Sequence, residues 1–284
     1  MLSGAARWVM AKRQHALAAA FIMTLLPWLF WIGAAICALV IMRKGPARAV
    51  PVVIAGLLPS LFWAFSGNHL PLCGMLVTLV MAILLRVRVR WGETVLGGAL
   101  TAAVLVQSGL LMPPHASELL DRLKDQSGEI REMFAAYQAQ GLDPHQLGTL
   151  VIGMMAGAVL SLVAVAVLAL ARYLQAVLYN PGGFKSEFHR FRLAPRELAI
   201  CIAIGLAGIL LGAPAAILAF WLPLLIAGIA LMHGVAGLKR MNGLWLAVFY
   251  ILLLTAWPVI VIVLVLAFAD CFADFRTRLA SRQH

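Results

Sequence analysis

Long apolar runs, each close to the length of a membrane helix, repeat along this chain and are separated by short polar or basic stretches. An α-helix of roughly twenty apolar residues spans the hydrocarbon core of a bilayer and satisfies its own backbone groups there. The pattern therefore predicts an all-α membrane protein, a polytopic bundle of transmembrane helices. The runs cover residues 16–42, 50–65, 70–85, 95–112, 147–170, 198–211, 215–232 and 244–268.

The first and last runs are longer than one span needs, and each has a proline near its middle. Pro27 divides residues 16–42, and Pro258 divides residues 244–268. A proline inside a helix removes one backbone hydrogen bond and clashes with the preceding turn. Two short, Pro-broken helices at each end give ten transmembrane segments, whereas single kinked spans give eight. The sequence favours the hairpins, and it leaves the number of transmembrane segments undecided between eight and ten.

One segment, residues 113–147, is too polar for a membrane. It contains six of the eleven acidic residues of the chain, and leucine, isoleucine, methionine and aromatic residues recur in it at helical spacing. This pattern predicts one external amphipathic helix, capped by Ser117 and ended by Gly141, that packs on its own bundle or pairs with another chain. The segment separates an N-terminal membrane half, 1–112, from a C-terminal half, 148–284, that includes a cytoplasmic loop, 172–196.

The charge distribution predicts the orientation. The chain has a formal net charge of +11 and a pI near 10.3, and the basic residues form short clusters beside the apolar runs. Basic clusters of this kind stay in the cytoplasm, so we expect both termini to be cytoplasmic and the acidic segment external. The expected partner of these clusters is membrane lipid, and the pattern does not indicate a nucleic acid partner.

Catalytic signatures are missing from the sequence. Glu93, Glu197, Asp270 and Asp274 lie at or beyond the inner ends of apolar runs, so no carboxylate is placed for a proton relay. The sequence contains no HExxH, GxSxG or Walker motif, and its histidines and cysteines lack the spacing of metal ligands. The sequence therefore predicts that the protein is not an enzyme and requires no cofactor or metal.

Polar and aromatic residues gather at the predicted outer ends of the apolar runs. They form a candidate site for a small neutral or aromatic solute in an outward-facing cavity. The competing interpretation is an aromatic belt together with ordinary loop residues. The candidate ligand-binding residues are Trp63, Asn68, His69, Gln107, Ser108, His115 and Trp221.

The most distinctive stretch outside the apolar runs is residues 179–193. After Tyr179, the run Asn180-Pro181-Gly182-Gly183 predicts a tight turn with at least one glycine at positive φ.

A short amphipathic helix at 184–193 should follow this turn. Three phenylalanines recur on one face at i, i+4 and i+7, and such rings lose burial free energy if they stay in water. We therefore expect them to be buried in the bundle, in lipid or in a membrane or cytoplasmic protein partner. The arginines of this stretch should reach lipid phosphates or the carboxylates beyond the last apolar run. The candidate contact residues are Phe184, Glu187, Phe188, Arg190, Phe191, Arg192, Asp270, Asp274 and Arg276.

Two motifs carry a resemblance to a known family. Residues 179–193 read Tyr-Asn-Pro-Gly-Gly-Phe-x-x-Glu-Phe-x-x-Phe-Arg-Leu, and residues 270–276 read Asp-x-x-x-Asp-Phe-Arg. Together with the external segment between two apolar halves, they resemble the YybS-like family of bacterial polytopic membrane proteins. That family is thought to be related in fold to the S subunits of energy-coupling-factor transporters.

The resemblance implies a bacterial inner-membrane protein that binds or transports a small solute and has no ATPase of its own. In those transporters small-residue motifs on a membrane helix dock the coupling subunit, and Ala16-x-x-x-Ala20 has this spacing. The alternative is a non-transporting membrane scaffold that recruits a partner through its cytoplasmic loop.

Overall fold

The structure is a computed structural model that describes residues 2–111 and 116–281. These residues form fifteen α-helices and no β-strand. The helices before the acidic segment are α1 (Leu2–Ala11), α2 (Arg13–Leu25), α3 (Phe30–Lys44), α4 (Pro46–Phe65), α5 (Leu70–Arg88) and α6 (Trp91–Gln107). They are followed by α7 (Ala116–Gln126), α8 (Gly128–Ala139), α9 (Pro144–Tyr179), α10 (Gly183–Arg190), α11 (Pro195–Leu210), α12 (Leu218–Leu238), α13 (Gly243–Thr255), α14 (Trp257–Ala273) and α15 (Phe275–Ser281). Short 3-10 helices at Pro27–Leu29 and Pro214–Ile217 precede α3 and α12.

The all-α polytopic bundle predicted from the sequence is confirmed, and each predicted apolar segment forms a helix. Within the described residues, five helices of at least 18 residues are apolar enough to cross a membrane, and two bent pairs raise the number to seven. This is below the predicted eight to ten, because several apolar helices, such as α2 with 13 residues and α6 with 17, are individually shorter. The five are Pro27–Lys44, Pro46–Phe65, Leu70–Arg88, Pro144–Tyr179 and Pro214–Leu238, and the pairs are α10 with α11 and α13 with α14.

The first apolar run is a hairpin. A Cβ atom added to Gly33 would collide with the Thr24 side chain and would lie 3.1 Å from the carbonyl oxygen of Ala20. In one straight helix, residues 20 and 33 would be about 20 Å apart, so α3 must run back along α2. Ala16 and Ala20 are buried in this packing. The pair of alanines that has the spacing of a coupling-subunit motif is therefore covered by helices of the same chain.

The last apolar run is also broken rather than kinked. The axes of α13 and α14 differ by 114° across the break at Ala256. Pro258 lies in the first turn of α14, where the missing N–H has no helical partner in any case. Both proline-divided runs therefore change direction at the break, as the sequence predicts.

The core lies around α3, whose residues from Gly33 to Met42 are all buried. Helices α2, α4, α5 and α9 pack around it, and α6 and α12 extend the core on the side of α5 and α9. Helix α9 has 36 residues and is about 54 Å long, more than a hydrocarbon core of about 30 Å requires. It continues past Arg172, where the sequence places the end of the span, to Tyr179. Both ends of α9 consequently contribute walls to the cavities described below.

The acidic segment differs from the predicted single helix. It is broken at Ser127, whose side chain caps α8 by accepting a hydrogen bond from the Ile130 N–H at 3.4 Å. Serine is a favoured N-cap, and the following Gly128 weakens helix continuation, so two shorter helices form. Ser117 lies inside the first turn of α7 instead of capping it. The predicted packing on the chain's own bundle is observed, because the Leu120 side chain lies against Gly148 of α9.

Candidate functional site

The predicted turn after Tyr179 is confirmed. Gly182 has a φ of +84°, which a residue with a Cβ adopts only at a cost, and the Gly183 N–H donates to the Asn180 carbonyl at 3.0 Å. Asn180 and Pro181 are exposed. The turn directs α10 back under the helices, so that its aromatic residues face the bundle.

The three phenylalanine rings of this stretch surround one tryptophan, Trp91, at the start of α6. The ring centroids of Phe184, Phe188 and Phe191 lie 6.1, 6.4 and 6.4 Å from that of Trp91, which is only 6% exposed. The predicted burial is confirmed fully for Phe191, which is 6% exposed, and in part for Phe184 and Phe188, which are half-buried against the bundle. They brace the end of the bundle by packing around Trp91.

The helix at this position is shorter than predicted. It ends at Arg190, and Phe191 is extended with a ψ of 122°. Ala194 is also extended, because the residue before a proline disfavours the helical conformation. The chain between α10 and α11 is therefore straightened, and it inserts Leu193 into the core.

The two sequence motifs bind each other through Arg276. Its guanidinium donates to the carbonyls of His189 and Phe191 at 2.9 and 2.7 Å and to the Asp270 carboxylate at 2.5 Å. Asp270 is 2% exposed, and its other oxygen accepts a hydrogen bond from the Phe275 N–H at 2.8 Å. A largely buried ion pair with three further hydrogen bonds thus joins α10 to the end of α14, with Phe191 and Arg276 85 residues apart in the sequence.

Arg192 makes a second connection between the motifs, as the sequence predicts. Its guanidinium lies 3.3 Å from an Asp274 carboxylate oxygen and 3.4 Å from the Asp270 carbonyl. Burial acts to raise the pKa of Asp274. Hydrogen bonds from Thr277 and the charges of Arg192 and Arg276 outweigh it and lower this pKa below its ordinary value. The carboxylate therefore stays ionised and paired at neutral pH.

A cavity of about 490 Å³ lies between this connection and the neighbouring helix ends, and we call it the basic cavity. It is bordered by the junction of α5 and α6, the C-terminal part of α9, α10 and the start of α11. Five arginines and two glutamates among the described residues line it, so its lining is strongly positive. The charged lining residues are Arg86, Arg90, Arg172, Arg190, Arg192, Glu187 and Glu197, and Trp91 lies beside them.

Glu187 holds one wall of the basic cavity in place. It pairs with Arg172 through both carboxylate oxygens, one of them 3.0 Å from the arginine Nε. Arg172 also donates to Gln175 at 2.5 Å, and Gln175 donates to the Met42 carbonyl at 3.3 Å. A two-point arginine–carboxylate contact sets the plane of both groups, so this wall is rigid.

Glu197 holds the opposite wall. It is buried, accepts a hydrogen bond from the Ala194 N–H at 2.9 Å and lies 3.2 Å from Arg90. Arg90 also contacts Glu93 at 3.3 Å. Both glutamates of the cavity are thus engaged by arginines of the same chain.

Arg86 and Arg190 differ from the other arginines of the cavity. Both are exposed, and neither has a hydrogen bond or ion pair within the part of the chain that the structure describes. Arg190 also lines a second cavity of about 620 Å³ on the side of α12 and α15, together with Lys185 and Arg276. Near this end of the bundle, the guanidinium of Arg43 lies 3.9 Å above the ring of Tyr179.

Sequence reasoning identified the α10 motif but not the residues of α5, α6 and α9 that complete the basic cavity. The sequence does contain an indication of this cavity. The basic residues at these helix ends belong to clusters that the charge pattern places on one side of the membrane. Clusters on one side of a membrane can meet at one end of a bundle. Which of them meet depends on helix packing, which the pattern does not contain.

Four of the candidate ligand-binding residues, Trp63, Asn68, Gln107 and Ser108, form hydrogen bonds with backbone groups of the same chain. The Trp63 indole donates to the Leu25 carbonyl at 2.9 Å, and Gln107 donates to the Gly212 carbonyl at 3.5 Å. Asn68 accepts from the Leu70 N–H, Ser108 donates to the Leu105 carbonyl, His69 is half-buried before α5, and Trp221 is half-buried against the core. His115 lies outside the described residues. A shared solute site at these residues stays a prediction.

A larger cavity is formed elsewhere, between the acidic segment and α9. It has a volume of about 1130 Å³, and every described residue that lines it is aliphatic, aromatic, proline or glycine. We call it the apolar cleft. Its lining comes from the apolar faces of α7 and α8 (Leu119, Leu120, Leu123, Ile130, Met133, Phe134, Tyr137), from α9 between Pro144 and Val163, and from Phe30, Trp31 and Leu70.

The apolar cleft has an open side along α9. Val151, Met155, Val159 and Val163 recur every fourth residue, are all exposed, and line the cleft. The amphipathic pattern of the acidic segment revealed one wall in the sequence. The wall on α9 could not be inferred from the sequence pattern, because a membrane helix is apolar on every face.

The similarity of residues 179–193 and 270–276 to the YybS-like family stays a prediction that rests on those residues. Comparisons with protein-family models, curated proteins and solved structures found no match for this chain.

Proposed function

We propose that this chain is a multi-pass protein of a bacterial inner membrane that binds a small apolar solute in the apolar cleft, on the external side. The cleft is the observation that carries the proposal. Its volume of about 1130 Å³ is close to the upper end of the roughly 300–1,000 Å³ typical of small-molecule sites. The apolar helices support the membrane part of the proposal.

The chemistry of the cleft selects an apolar ligand. Each square ångström of apolar surface removed from water contributes about 25 cal/mol, whereas a polar group buried without a partner costs free energy. The lining offers many carbon atoms and almost no hydrogen-bonding groups. A hydrocarbon chain or a ring system matches these walls, and a sugar or an amino acid does not.

The acidic helices act as a cover for the cleft. The charged residues Asp121, Asp125, Glu129 and Glu132 are exposed, while Leu120 and Phe134 are buried on the opposite side. The cover therefore presents charge to water and hydrocarbon to the ligand. This arrangement permits a solute to be held at the membrane surface away from water.

Capture of a solute by a protein without an ATPase agrees with the resemblance to S subunits. In this proposal a separate membrane protein would supply the energy for transport. The alternative, a scaffold that recruits a partner through residues 172–196, would depend mainly on residues other than the three phenylalanines. Those rings already pack around Trp91.

The orientation is tested by cysteine labelling. We expect a membrane-impermeant maleimide to label Gln126→Cys in intact cells and to label Ser186→Cys only after the membrane is opened. Both positions are exposed, and all four native cysteines are buried, so the unsubstituted chain serves as a control with low background. Labelling of the two positions in the reverse order would contradict the external position of the acidic segment.

Solute binding is tested by filling the cleft. Ala156 lines the apolar cleft, whereas Ala166 is an exposed residue of the same helix outside it. We expect Ala156→Trp to weaken saturable labelling by a diazirine-bearing long-chain alcohol about tenfold, equal to about 1.4 kcal/mol, because the indole occupies the ligand's space. Ala166→Trp should leave the labelling unchanged. The labelled peptides should come from α7, α8 and the first half of α9.

The same experiment can refute the proposal. Labelling that does not saturate, or that is as strong on α13 as on α9, would show contact with bulk lipid alone. An equal response to Ala156→Trp and Ala166→Trp would show that the cleft is not the site.

A further inference from the structure

We propose that the basic cavity is a second binding site, which takes the phosphate group of an anionic ligand through Arg86 and Arg190. This inference is independent of the apolar cleft, since it concerns other residues at the opposite end of α9. It rests on the charge of the cavity, on two arginines that have no partner among the described residues and on one buried donor.

The charge balance of the cavity favours an anion over a cation. Its two glutamates are already engaged, Glu187 by Arg172 and Glu197 by Arg90 and the Ala194 N–H. No carboxylate in the described lining is therefore free to accept a cation. The guanidinium groups outnumber the carboxylates by five to two, so the cavity has a positive excess that a bound anion would neutralise.

Arg86 and Arg190 are the groups that would contact the anion. They enter the cavity from different elements, Arg86 from the end of α5 and Arg190 from the end of α10. Because neither has a partner in the described chain, binding does not require an existing ion pair to break. The planar fork of arginine donors fits two oxygens of a phosphate at once, which favours this group over chloride.

The Trp91 indole supports an oxygen-rich ligand. Trp91 lines the cavity, and its Nε1–H is buried without any hydrogen-bond partner among the described residues. Buried donors in folded proteins are almost always paired, so an unpaired one calls for a specific explanation. A phosphate or ester oxygen next to Trp91 would provide the missing acceptor, whereas a purely apolar ligand would not.

The dimensions of the site indicate a phosphate ester rather than a free ion. A volume of about 490 Å³ exceeds what one phosphate occupies, and the lining continues from arginines to Leu85, Val89 and Phe191. Arg190 also borders the second basic cavity of about 620 Å³, so a ligand with two anionic groups could extend along it. Two sources offer this chemistry, the headgroup of an anionic phospholipid and a soluble phosphate monoester.

The test compares both sources on the full chain in phosphatidylcholine nanodiscs. Glycerol 3-phosphate is titrated by calorimetry, and phosphatidylglycerol, added to the nanodiscs, is counted by native mass spectrometry. We expect saturable binding of at least one of them. Binding of the soluble ester assigns the site to soluble phosphates, and retention of phosphatidylglycerol alone assigns it to lipid headgroups. Binding of neither overturns the proposal.

Four variants locate the site. Arg86→Gln and Arg190→Gln should each weaken binding about tenfold, while Arg48→Gln, an exposed arginine outside the cavity, should leave it unchanged. Trp91→Phe should weaken binding while retaining most of the stability, because it removes the donor that has no partner in the described chain and preserves much of the aromatic packing. Equal loss in all three arginine variants would mean non-specific charge attraction and would overturn the proposal. Unchanged binding in Arg86→Gln and Arg190→Gln would also overturn it.

Discussion

We expect Asp270→Asn to lower the free energy of unfolding by about 3 kcal/mol, because it leaves the largely buried charge of Arg276 without its ion-pair partner. Asp270 is 2% exposed and binds the Arg276 guanidinium at 2.5 Å. The two carbonyls that Arg276 also binds remain, but neither has a full negative charge. The loss should be measured as a shift in chemical unfolding of the purified protein in detergent.

A matched control is available four residues further on. The Asp274 side chain is 38% exposed and pairs with Arg192 at 3.3 Å, so Asp274→Asn should cost less than about 1 kcal/mol. Asparagine also tolerates the left-handed conformation of this residue, whose φ is 44°. The double variant Asp270→Asn with Arg276→Gln should be more stable than Asp270→Asn alone, because no buried charge is left unpaired. Equal effects of Asp270→Asn and Asp274→Asn would contradict this account of the buried pair.

Trp91→Ala should destabilise the protein by about 3–5 kcal/mol, the usual cost of removing a large buried aromatic side chain. Trp91 is the centre of the cluster formed with Phe184, Phe188 and Phe191. Its removal leaves three rings facing a void and loosens α10 from α6. The effect should appear both in the unfolding midpoint and as faster proteolysis of the connection between α9 and α11.

Trp245 provides the control for this substitution. It is 61% exposed on α13, so Trp245→Ala should change the unfolding free energy by less than about 0.5 kcal/mol. Trp91→Phe should retain most of the stability, because it preserves much of the packing and removes a donor that has no partner in the described chain. A loss in Trp245→Ala as large as that in Trp91→Ala would show that the aromatic cluster is not what holds α10.

The two motifs that the sequence distinguishes have one structural role in common. Residues 179–193 and 270–276 bind each other through Arg192 and Arg276 and close the bundle end next to the basic cavity. The predicted resemblance to a known family rests on these positions. The structure shows a physical role for both motifs, since each motif supplies hydrogen-bond partners to the other.

The sequence by itself determined the features that follow from local backbone chemistry and from burial. The apolar runs indicated the helices, Pro27 and Pro258 indicated the breaks, and the glycines after Pro181 indicated a turn with positive φ. Each of these depends on residues within one or two helical turns, because proline and glycine act on their immediate backbone. The break at Ser127 is also a local feature, but the sustained amphipathic pattern around it favoured one helix.

Only the tertiary structure decided which of these local elements meet. Arg276 reaches the carbonyl of Phe191, Arg90 reaches Glu197, and Gly33 allows α3 to lie against α2. These contacts join residues that the chain separates by up to 107 positions, and no local pattern contains them. Helix faces are also ambiguous in a membrane protein, because lipid-facing and buried residues are equally apolar. For this reason the apolar cleft along α9 and the basic cavity became visible only once the helices were packed.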